Sequence, residues 1–259
     1  MAVLEQVWLG RMAYGDAWAL QRRLAGARAR GEIGDVLVLV EHPPVYTMGR
    51  TGSAEHVPRG VDRLRALGAE YVDVDRGGSV TFHGPGQLVA YPVLRIADVF
   101  PLAGGVGLGD VVAHLRALEE ALIDVVAGYG VVATRRPPYT GIWVGLEKLA
   151  AIGVKLASGV TTHGAALNVC TDLAWFGKVI PCGIADAGVC SLASLGVRAL
   201  PTVEEAGARF AAAYARVIGR ELRAAGEDVA VVAGAVPGAA TDAMDVVGAE
   251  PAPANSTAA

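Results

Sequence analysis

Residues 71–94, YVDVDRGGSVTFHGPGQLVAYPVL, alternate strand-forming runs with glycine-rich turns. Residues 71–75 alternate apolar and polar side chains, which is typical of a strand with one wet face. Gly77-Gly78 then turns the chain into a second strand, and Gly84-Pro85-Gly86 turns it into a third strand over residues 87–94. We therefore expect hairpins, in which strands that follow one another in the sequence also pair in the sheet.

Amphipathic helices are predicted on both sides of this stretch. Residues from about 15 to 30 combine apolar side chains and arginines with strong helix formers, and residues 109–128 carry apolar side chains three to four positions apart. Thr202 followed by Glu205 forms a capping box, which opens a helix that we expect to run to about Arg223. Helices therefore separate the predicted strands into groups.

Further strands are predicted between these helices. Residues 35–40 predict a buried strand, Pro43-Pro44 interrupts regular pairing because proline lacks an N–H, and residues 45–48 resume as a short strand. Residues 141–169 predict three strands separated by turns, with punctuation at Gly145, Gly153 and Gly159. Hairpins with helices between them, without strict alternation of strand and helix, predict an α+β fold with a mixed, mainly antiparallel sheet flanked by helices.

The chain divides into a folded body and an expected tail. Its 259 residues fit one domain, which we place at residues 1–225. Residues 226–259 are rich in Ala, Gly and Pro, lack aromatic residues and predict a disordered segment. The tail holds five acidic residues, so the body carries 22 basic and 21 acidic side chains. This balance argues against nucleic-acid binding, although a local basic patch for an acidic protein remains open.

The cysteines Cys170, Cys182 and Cys190 predict neither disulfides nor a metal site. Their number is odd in a chain too large to need disulfide staples, and their spacing contains no C-x-x-C pair. The N-terminus lacks a basic region followed by an apolar run, and no stretch approaches the roughly 20 apolar residues that span a membrane. We expect a soluble cytoplasmic protein with no membrane association, no metal and no cofactor.

Cys182 and Lys148 are the pair of residues best suited to catalysis. A free thiol is mostly protonated at neutral pH, whereas the thiolate is the nucleophile, and a nearby ammonium favours the thiolate. Pro181 and Gly183 flank Cys182, so the backbone entry is restricted and close approach is permitted. If the two side chains meet, the thiolate can accept an acyl group, and the lysine can then deprotonate an incoming amine.

Structural interpretations of the same residues stay open. A free cysteine is most often a small buried hydrophobe, and Cys170 and Cys190 are assigned to packing. Lys148 taken alone is a solvated strand residue. His83 and His163 are each candidates for a base beside Cys182, but a lone histidine is more often a hydrogen-bonded structural residue.

The glycine-rich segment from Arg76 to Gln87 predicts a place where a ligand approaches the main chain. Glycine leaves backbone amides accessible, and free N–H groups bind a carbonyl or a developing oxyanion. A tight hairpin with positive φ explains the same composition nearly as well.

Three motifs together resemble the octanoyltransferases of lipoate biosynthesis. They are RGGSVTFHGPGQLVAYPV at residues 76–93, GLEKLAAIGVKLASGVTTHGAALNV at 145–169, and PCG at 181–183. The resemblance covers residues from about 1 to 220. It implies a fold shared with lipoate and biotin protein ligases. It also implies transfer of octanoyl, or lipoyl, from acyl carrier protein to a lysine of lipoyl domains, in the E2 subunits of 2-oxoacid dehydrogenases or in the glycine cleavage H protein.

The resemblance also implies roles for individual residues. Cys182 matches the family's thioester-forming nucleophile, and Lys148 matches the lysine that lowers the pKa of that thiol. His163 lies beside the matched segments, and we expect it to help orient reacting groups. The residues that match the family's substrate-binding segments are Arg76, Gly77, Gly78, Ser79, Val80, Thr81, Phe82, His83, Ala151, Ile152, Gly153, Gly164, Ala165 and Ala166.

Three alternative functions remain on the sequence alone. An ATP-dependent lipoate ligase of the same fold would need no cysteine. A Cys-His thioesterase would use His83 or His163 and release free octanoate. A binding module would hold an acyl group noncovalently in the glycine-rich cleft.

Overall fold

The secondary structure combines one large sheet, one small sheet and flanking helices. The computed structural model describes residues 2–105, 107–180 and 188–234. Over this part of the chain, the strands are β1 (Val3–Arg11), β2 (Asp35–Glu41), β3 (Val45–Met48), β4 (Glu70–Asp73), β5 (Val80–His83), β6 (Gln87–Val93), β7 (Thr134–Arg136), β8 (Tyr139–Val144), β9 (Glu147–Ala157), β10 (Val160–Asn168), β11 (Gly188–Val189) and β12 (Glu221–Ala224). The helices are α1 (Tyr14–Arg30), α2 (Val61–Ala66), α3 (Ile96–Val99), α4 (Val111–Ala127), α5 (Val203–Val217) and α6 (Glu227–Ala233), with 3₁₀ helices at Ala54–His56 and Leu173–Lys178.

The large sheet has the strand order β12-β1-β2-β6-β10-β9-β8-β7, and β11 pairs with β9 beside this path. The β1 strand runs parallel to β2 and β12, and β11 runs parallel to β9. The other neighbours in the large sheet are antiparallel. The small sheet has the order β4-β3-β5. The predicted α+β class with a mixed, mainly antiparallel sheet is therefore confirmed.

The β2 strand shows how the large sheet is covered on both faces. Leu37 and Leu39 belong to a core cluster with residues of α4 and α5. Val36, Val38 and Val40 point to the opposite face, into a cluster with residues of α1. Because both faces are buried, this strand is apolar from Val36 to Val40 and does not alternate with polar residues.

The hairpins expected within residues 71–94 are wrong. The β4 and β5 strands do not pair with each other, because both pair with β3. The β6 strand leaves the small sheet and lies between β2 and β10 in the large one. All seven residues of β6 are buried, so this strand needs partners on both sides and cover on both faces. Gly84-Pro85-Gly86 therefore moves the chain from one sheet to the other.

The two ends of the folded body also differ from the sequence expectation. The β1 strand was not predicted. The helix expected to reach Arg223 ends at Val217, and Gly219 with φ +66° redirects the chain into β12, which pairs in parallel with β1. Residues 227–233, expected to be disordered, form α6, and its Val229 is buried against α1. Residues 235–259 lie outside the described residues.

Two smaller expectations concern Gly153 and Cys170. Gly153 lies inside the long β9 strand and does not mark a turn. Cys170, assigned to packing, is exposed, whereas Cys190 is buried as predicted. Both are free thiols.

In the described ranges, no helix combines the length and the apolar character required to cross a membrane.

Candidate active site

A cavity of about 320 Å³ lies over the middle of the large sheet. This volume falls within the range that small-molecule sites occupy in proteins. Its walls come from α1, the segment before and including β5, the strands β6, β8, β9 and β10, and α4. The lining residues are Tyr14, Arg76, Gly77, Gly78, Val80, Thr81, His83, Val89, Tyr91, Val111, Leu115, Thr140, Lys148, Ala151, Ile152, Gly153, Val154, His163, Gly164, Ala165 and Ala166.

The cavity brings together most of the residues that the sequence assigned to a site. Ser79 and Phe82 are the exceptions among the described candidates. The Ser79 hydroxyl lies 2.8 Å from His56 Nδ1, and Phe82 stacks on Trp175 with ring centres 5.2 Å apart. These two side chains therefore support the small sheet and do not form the cavity wall. Cys182 lies outside the described residues.

Arg76 braces the glycine-rich segment from within. Its guanidinium donates hydrogen bonds to the carbonyl oxygen of Thr47 at 2.7 Å, to Thr47 Oγ1 at 2.8 Å and to the carbonyl oxygen of Gly77 at 3.0 Å. The amide of Gly77 donates to the carbonyl of Val154 at 3.0 Å, which ties the segment to β9. Arg76 thus ties the segment to β3, and the Gly77 amide ties it to β9.

Gly153 and Gly164 face each other across β9 and β10, where no larger residue fits. A Cβ atom on Gly153 would lie 2.9 Å from the carbonyl oxygen of Gly77. A Cβ atom on Gly164 would lie 2.1 Å from the carbonyl oxygen of Ala90. The glycines therefore allow three stretches of backbone to approach closely beside the cavity.

Lys148 stands in the cavity wall on β9. It is the registered partner of Trp143 on β8, and its Nζ lies 4.8 Å from the centre of the Trp143 ring. Trp143 is only 1% exposed, so the indole face offers the ammonium a favourable contact in a sheltered setting. Arg136 lies over the same ring system, 5.1 Å from its centre.

The segment that carries Cys182 is flanked on both sides by anchored residues. The amide of Ile180 donates to the carbonyl of His56 at 2.9 Å. On the other side, Gly188 pairs with Glu147 and Val189 pairs with Lys148. The amide of Cys190 then donates to the carbonyl of Lys148 at 3.0 Å. Residues 188–190 therefore run directly beside Lys148.

His163 is a cavity histidine with both ring nitrogens engaged. Its Nε2 lies 2.9 Å from an oxygen of Asp75, and its Nδ1 lies 3.4 Å from the Tyr14 hydroxyl. Lys155 pairs with the second oxygen of Asp75 at 2.5 Å. Burial lowers the pKa of His163, although Asp75 opposes the shift. In the neutral ring, Nε2–H donates to Asp75 and Nδ1 accepts from Tyr14.

The comparisons with known proteins agree with this geometry. The family model of the lipoyl protein ligase A/B catalytic domain matches residues 13–215. An octanoyltransferase of Solibacter usitatus is 46% identical over 214 residues, which cover 83% of this chain and 92% of the relative. An octanoyltransferase of Rubrobacter xylanophilus is 50% identical over 185 residues, which cover 71% and 79%. The chain belongs to the octanoyltransferases of the lipoyl protein ligase A/B family.

A solved structure extends the comparison to the fold. The structure of a bipartite lipoate protein ligase and its E2 lipoyl domain, from Thermoplasma acidophilum, matches with a TM-score of 0.67. The two chains are 16% identical, and the match covers 90% of this chain and 91% of that one. The lipoate-ligase fold expected from the sequence is thereby confirmed, and the relatives confirm the enzyme class, an octanoyltransferase of protein lipoylation.

Several lining residues of this octanoyltransferase family member were missed by sequence reasoning. Val111 and Leu115 were recognised as one apolar helix face, but periodicity does not separate a cavity wall from a core. Tyr14 lies far from the motifs in sequence and carries no local signal, whereas Tyr91 lies inside the first motif but was interpreted only as part of a strand. The remaining missed residues are Val89, Thr140 and Val154.

Proposed function

We propose that this enzyme transfers octanoyl from acyl carrier protein to a lysine of a lipoyl domain through a thioester on Cys182. The position of Lys148 carries the proposal. Lys148 lines a mostly apolar cavity, and Val189 of β11, the strand that follows the Cys182 segment, pairs with Lys148. An ammonium in such a wall favours a thiolate nearby, and the apolar wall suits a hydrocarbon chain.

The first step forms the acyl-enzyme. The Cys182 thiolate attacks the thioester carbonyl of the octanoyl donor, so a new carbon–sulfur bond forms and the bond to the carrier's thiol breaks. The departing thiolate takes a proton from the Lys148 ammonium. This step leaves a neutral Cys182 thioester and a neutral Lys148 amine.

The second step transfers the acyl group. The neutral amine of the acceptor lysine attacks the Cys182 thioester, and its nitrogen loses one proton to the Lys148 amine as the amide forms. An amide bond forms, the carbon–sulfur bond breaks, and the Cys182 thiolate and Lys148 ammonium are restored. Lys148 therefore gives up one proton in the first half-reaction and regains one in the second, and both residues end the cycle as they began it.

The proposed partners follow from this chemistry. The donor is octanoyl-acyl carrier protein, and the acceptors are lipoyl domains of 2-oxoacid dehydrogenase E2 subunits or the glycine cleavage H protein. The structure from Thermoplasma acidophilum, which concerns a lipoate ligase and its E2 lipoyl domain, supports an acceptor of this kind. A reducing cytoplasm suits the free thiols of Cys170 and Cys190.

Intact-mass measurement tests the thioester. Incubation with octanoyl-acyl carrier protein is expected to add about 126 Da to the enzyme, as covalent catalysis requires. The adduct is expected to be absent from Cys182→Ala and slow to form in Lys148→Met, whereas Cys170→Ala serves as the matched control with a normal adduct. A full adduct on Cys182→Ala would remove this residue from the mechanism.

Assays with the same enzyme and acyl donor distinguish two alternative functions, an ATP-dependent ligase and a Cys-His thioesterase. The fold is shared with lipoate protein ligases, so an ATP requirement for transfer would favour a ligase. A Cys-His thioesterase requires a histidine base, but burial lowers the pKa of His83 to about 3, and His163 has both ring nitrogens engaged. Release of free octanoate without any lipoyl domain would nonetheless support that enzyme.

A further inference from the structure

A chain of buried amide side chains connects His83 to the main chain beside Lys148. His83 Nδ1 lies 2.8 Å from Gln87 Oε1. Gln87 Nε2 donates to Asn168 Oδ1 at 2.8 Å, and Asn168 Nδ2 donates to the carbonyl oxygen of Cys190 at 2.9 Å. All three side chains are at most 7% exposed, so water does not compete for these contacts.

The direction of every hydrogen bond in this series of side chains is fixed by the Cys190 carbonyl at its end. The carbonyl oxygen of Cys190 only accepts, so the amide nitrogen of Asn168 must face it. The oxygen of Asn168 then faces the nitrogen of Gln87, and the oxygen of Gln87 faces the ring of His83. An oxygen acceptor requires a proton on His83 Nδ1. Nε2 of the neutral ring is therefore left with a lone pair.

The other histidine of the cavity wall, His163, and the Tyr91 hydroxyl have hydrogen-bond partners within the protein. Both ring nitrogens of His163 are engaged, as described above. The Tyr91 hydroxyl lies 2.8 Å from His42 Nε2, and His42 Nδ1 lies 2.8 Å from the carbonyl of Met12. Among the described lining residues, His83 is thus the histidine that offers the cavity a nitrogen acceptor.

The surroundings of His83 keep its ring neutral. Burial is the main cause that lowers the pKa of His83, followed by the neighbouring His42. Arg76 and His163 act in the same direction, and the Gln87 contact opposes them. The Tyr14 ring from α1 stacks on the imidazole, with ring centres 6.0 Å apart.

We propose that Gln87 and Asn168 are positioning residues that fix the Nδ1–H tautomer of His83, so that Nε2 accepts a hydrogen bond from the amine of the acceptor lysine. Of the reacting groups, the thioester carbonyl needs donors and the thiolate carries no proton. The attacking amine is the partner whose N–H bonds need an acceptor. This inference deepens the proposed function and depends on it.

Nitrogen NMR on histidine-labelled enzyme tests the tautomer without any turnover. The signals of His83 are identified by their loss in His83→Gln. At pH 7 we expect a protonated Nδ1 and an unprotonated Nε2 in the ring of His83. A ring protonated at Nε2, or an imidazolium, would overturn the inference.

Single-turnover kinetics on Gln87→Glu test the role in aminolysis. A carboxylate at this position would draw a second proton onto His83, so Nε2 would become a donor. We expect the acid limb of the aminolysis pH profile to move upward by about one unit or more, with the rate about tenfold lower one pH unit below the new pKa of His83 and recovering as the pH rises. Acylation of Cys182 is expected to change by no more than about twofold.

Gln87→Met is the matched control, because methionine fills a similar volume without charge. Its aminolysis is expected to fall a few fold with the pH profile unmoved, since the tautomer is no longer fixed but the ring stays neutral. An unmoved profile in Gln87→Glu, or an equal loss of acylation, would refute the inference. Failure of the wild-type enzyme to form the thioester would instead refute the proposed function and leave the NMR result independent.

Discussion

Gly164 illustrates how a single residue fixes the floor of the cavity. It is paired with Gly153, and both lie where neighbouring backbone leaves no room for a side chain. The family resemblance placed both glycines in substrate-binding segments. In the structure they also make room for the protein's own main chain, because Gly77 and Ala90 approach from the two sides.

Gly164→Ala is expected to destabilise the protein strongly. The new methyl group would lie 2.1 Å from the carbonyl oxygen of Ala90 and 2.7 Å from Pro92 Cδ, and neither can retreat without disturbing β6. We expect the free energy of unfolding to fall by about 3 kcal/mol or more. Urea denaturation followed by circular dichroism measures this change.

Gly15→Ala provides the control for that substitution. Gly15 lies in α1, and nothing is within 4 Å of the position of its added Cβ. Alanine favours a helix over glycine by up to about 1 kcal/mol, so this variant is expected to match or exceed the wild type in stability. Equal stability of the two variants would contradict the steric argument for Gly164.

The C-terminal elements show how residues expected to be helical or disordered complete an edge of the sheet and cover α1. The β12 strand pairs with β1, and α6 then packs against α1 through Val229, which is 2% exposed. Arg23 of α1 donates to the carbonyl oxygens of Val232 and Ala233 at 3.3 and 2.7 Å. These bonds satisfy carbonyls at the end of α6 that have no partner within the helix.

Truncation tests the contribution of α6. A chain that ends after Gly234 is expected to retain the stability of the full chain, because it keeps every contact of α6 among the described residues and the sequence predicts a disordered tail. A chain that ends after Ala225 is expected to lose about 2 kcal/mol of unfolding free energy, since the buried Val229 contact and the bonds from Arg23 are removed. Thermal and urea unfolding of the two truncated chains measure the difference, and identical stabilities would contradict it.

At the scale of the whole molecule, buried neutral histidines couple stability to pH. Burial lowers the pKa of His42 to about 4, of His83 to about 3 and of His114 to about 4, from a usual value of 6.5. His114 of α4 is fully buried, with Nδ1 3.0 Å from the hydroxyl of Tyr214 in α5. Between pH 6.5 and these lowered values, the unfolded chain binds protons that the folded chain does not.

Stability is therefore expected to fall as the pH falls from 6.5 towards 4. Each histidine contributes up to about 1.4 kcal/mol per pH unit in this window, and we expect a loss of at least about 2 kcal/mol between pH 7 and pH 5. Urea unfolding at pH 7, 6 and 5 measures it. His114→Gln removes one of the three groups and is expected to flatten the dependence, whereas a constant unfolding free energy would refute the prediction.

The sequence alone determined the helices α1 and α4, most of the strands and the identity of the glycine-rich cavity segments. It did so because amphipathic spacing, capping and glycine turns are local properties, and because the motifs around Arg76, Lys148 and His163 are distinctive. It did not predict β1, and it did not separate the end of α5 from β12, where the pairing with β1 decides between helix and strand.

Only the tertiary structure decided which strands pair and which side chains share a cavity. β6 lies between β2 and β10 because a strand buried on both faces is stable only in the middle of the sheet. That placement brings His83 and Gln87 beside Asn168, and it brings Lys148 into the same wall as Tyr14. Contacts between residues so distant in sequence depend on strand order, which local patterns do not encode.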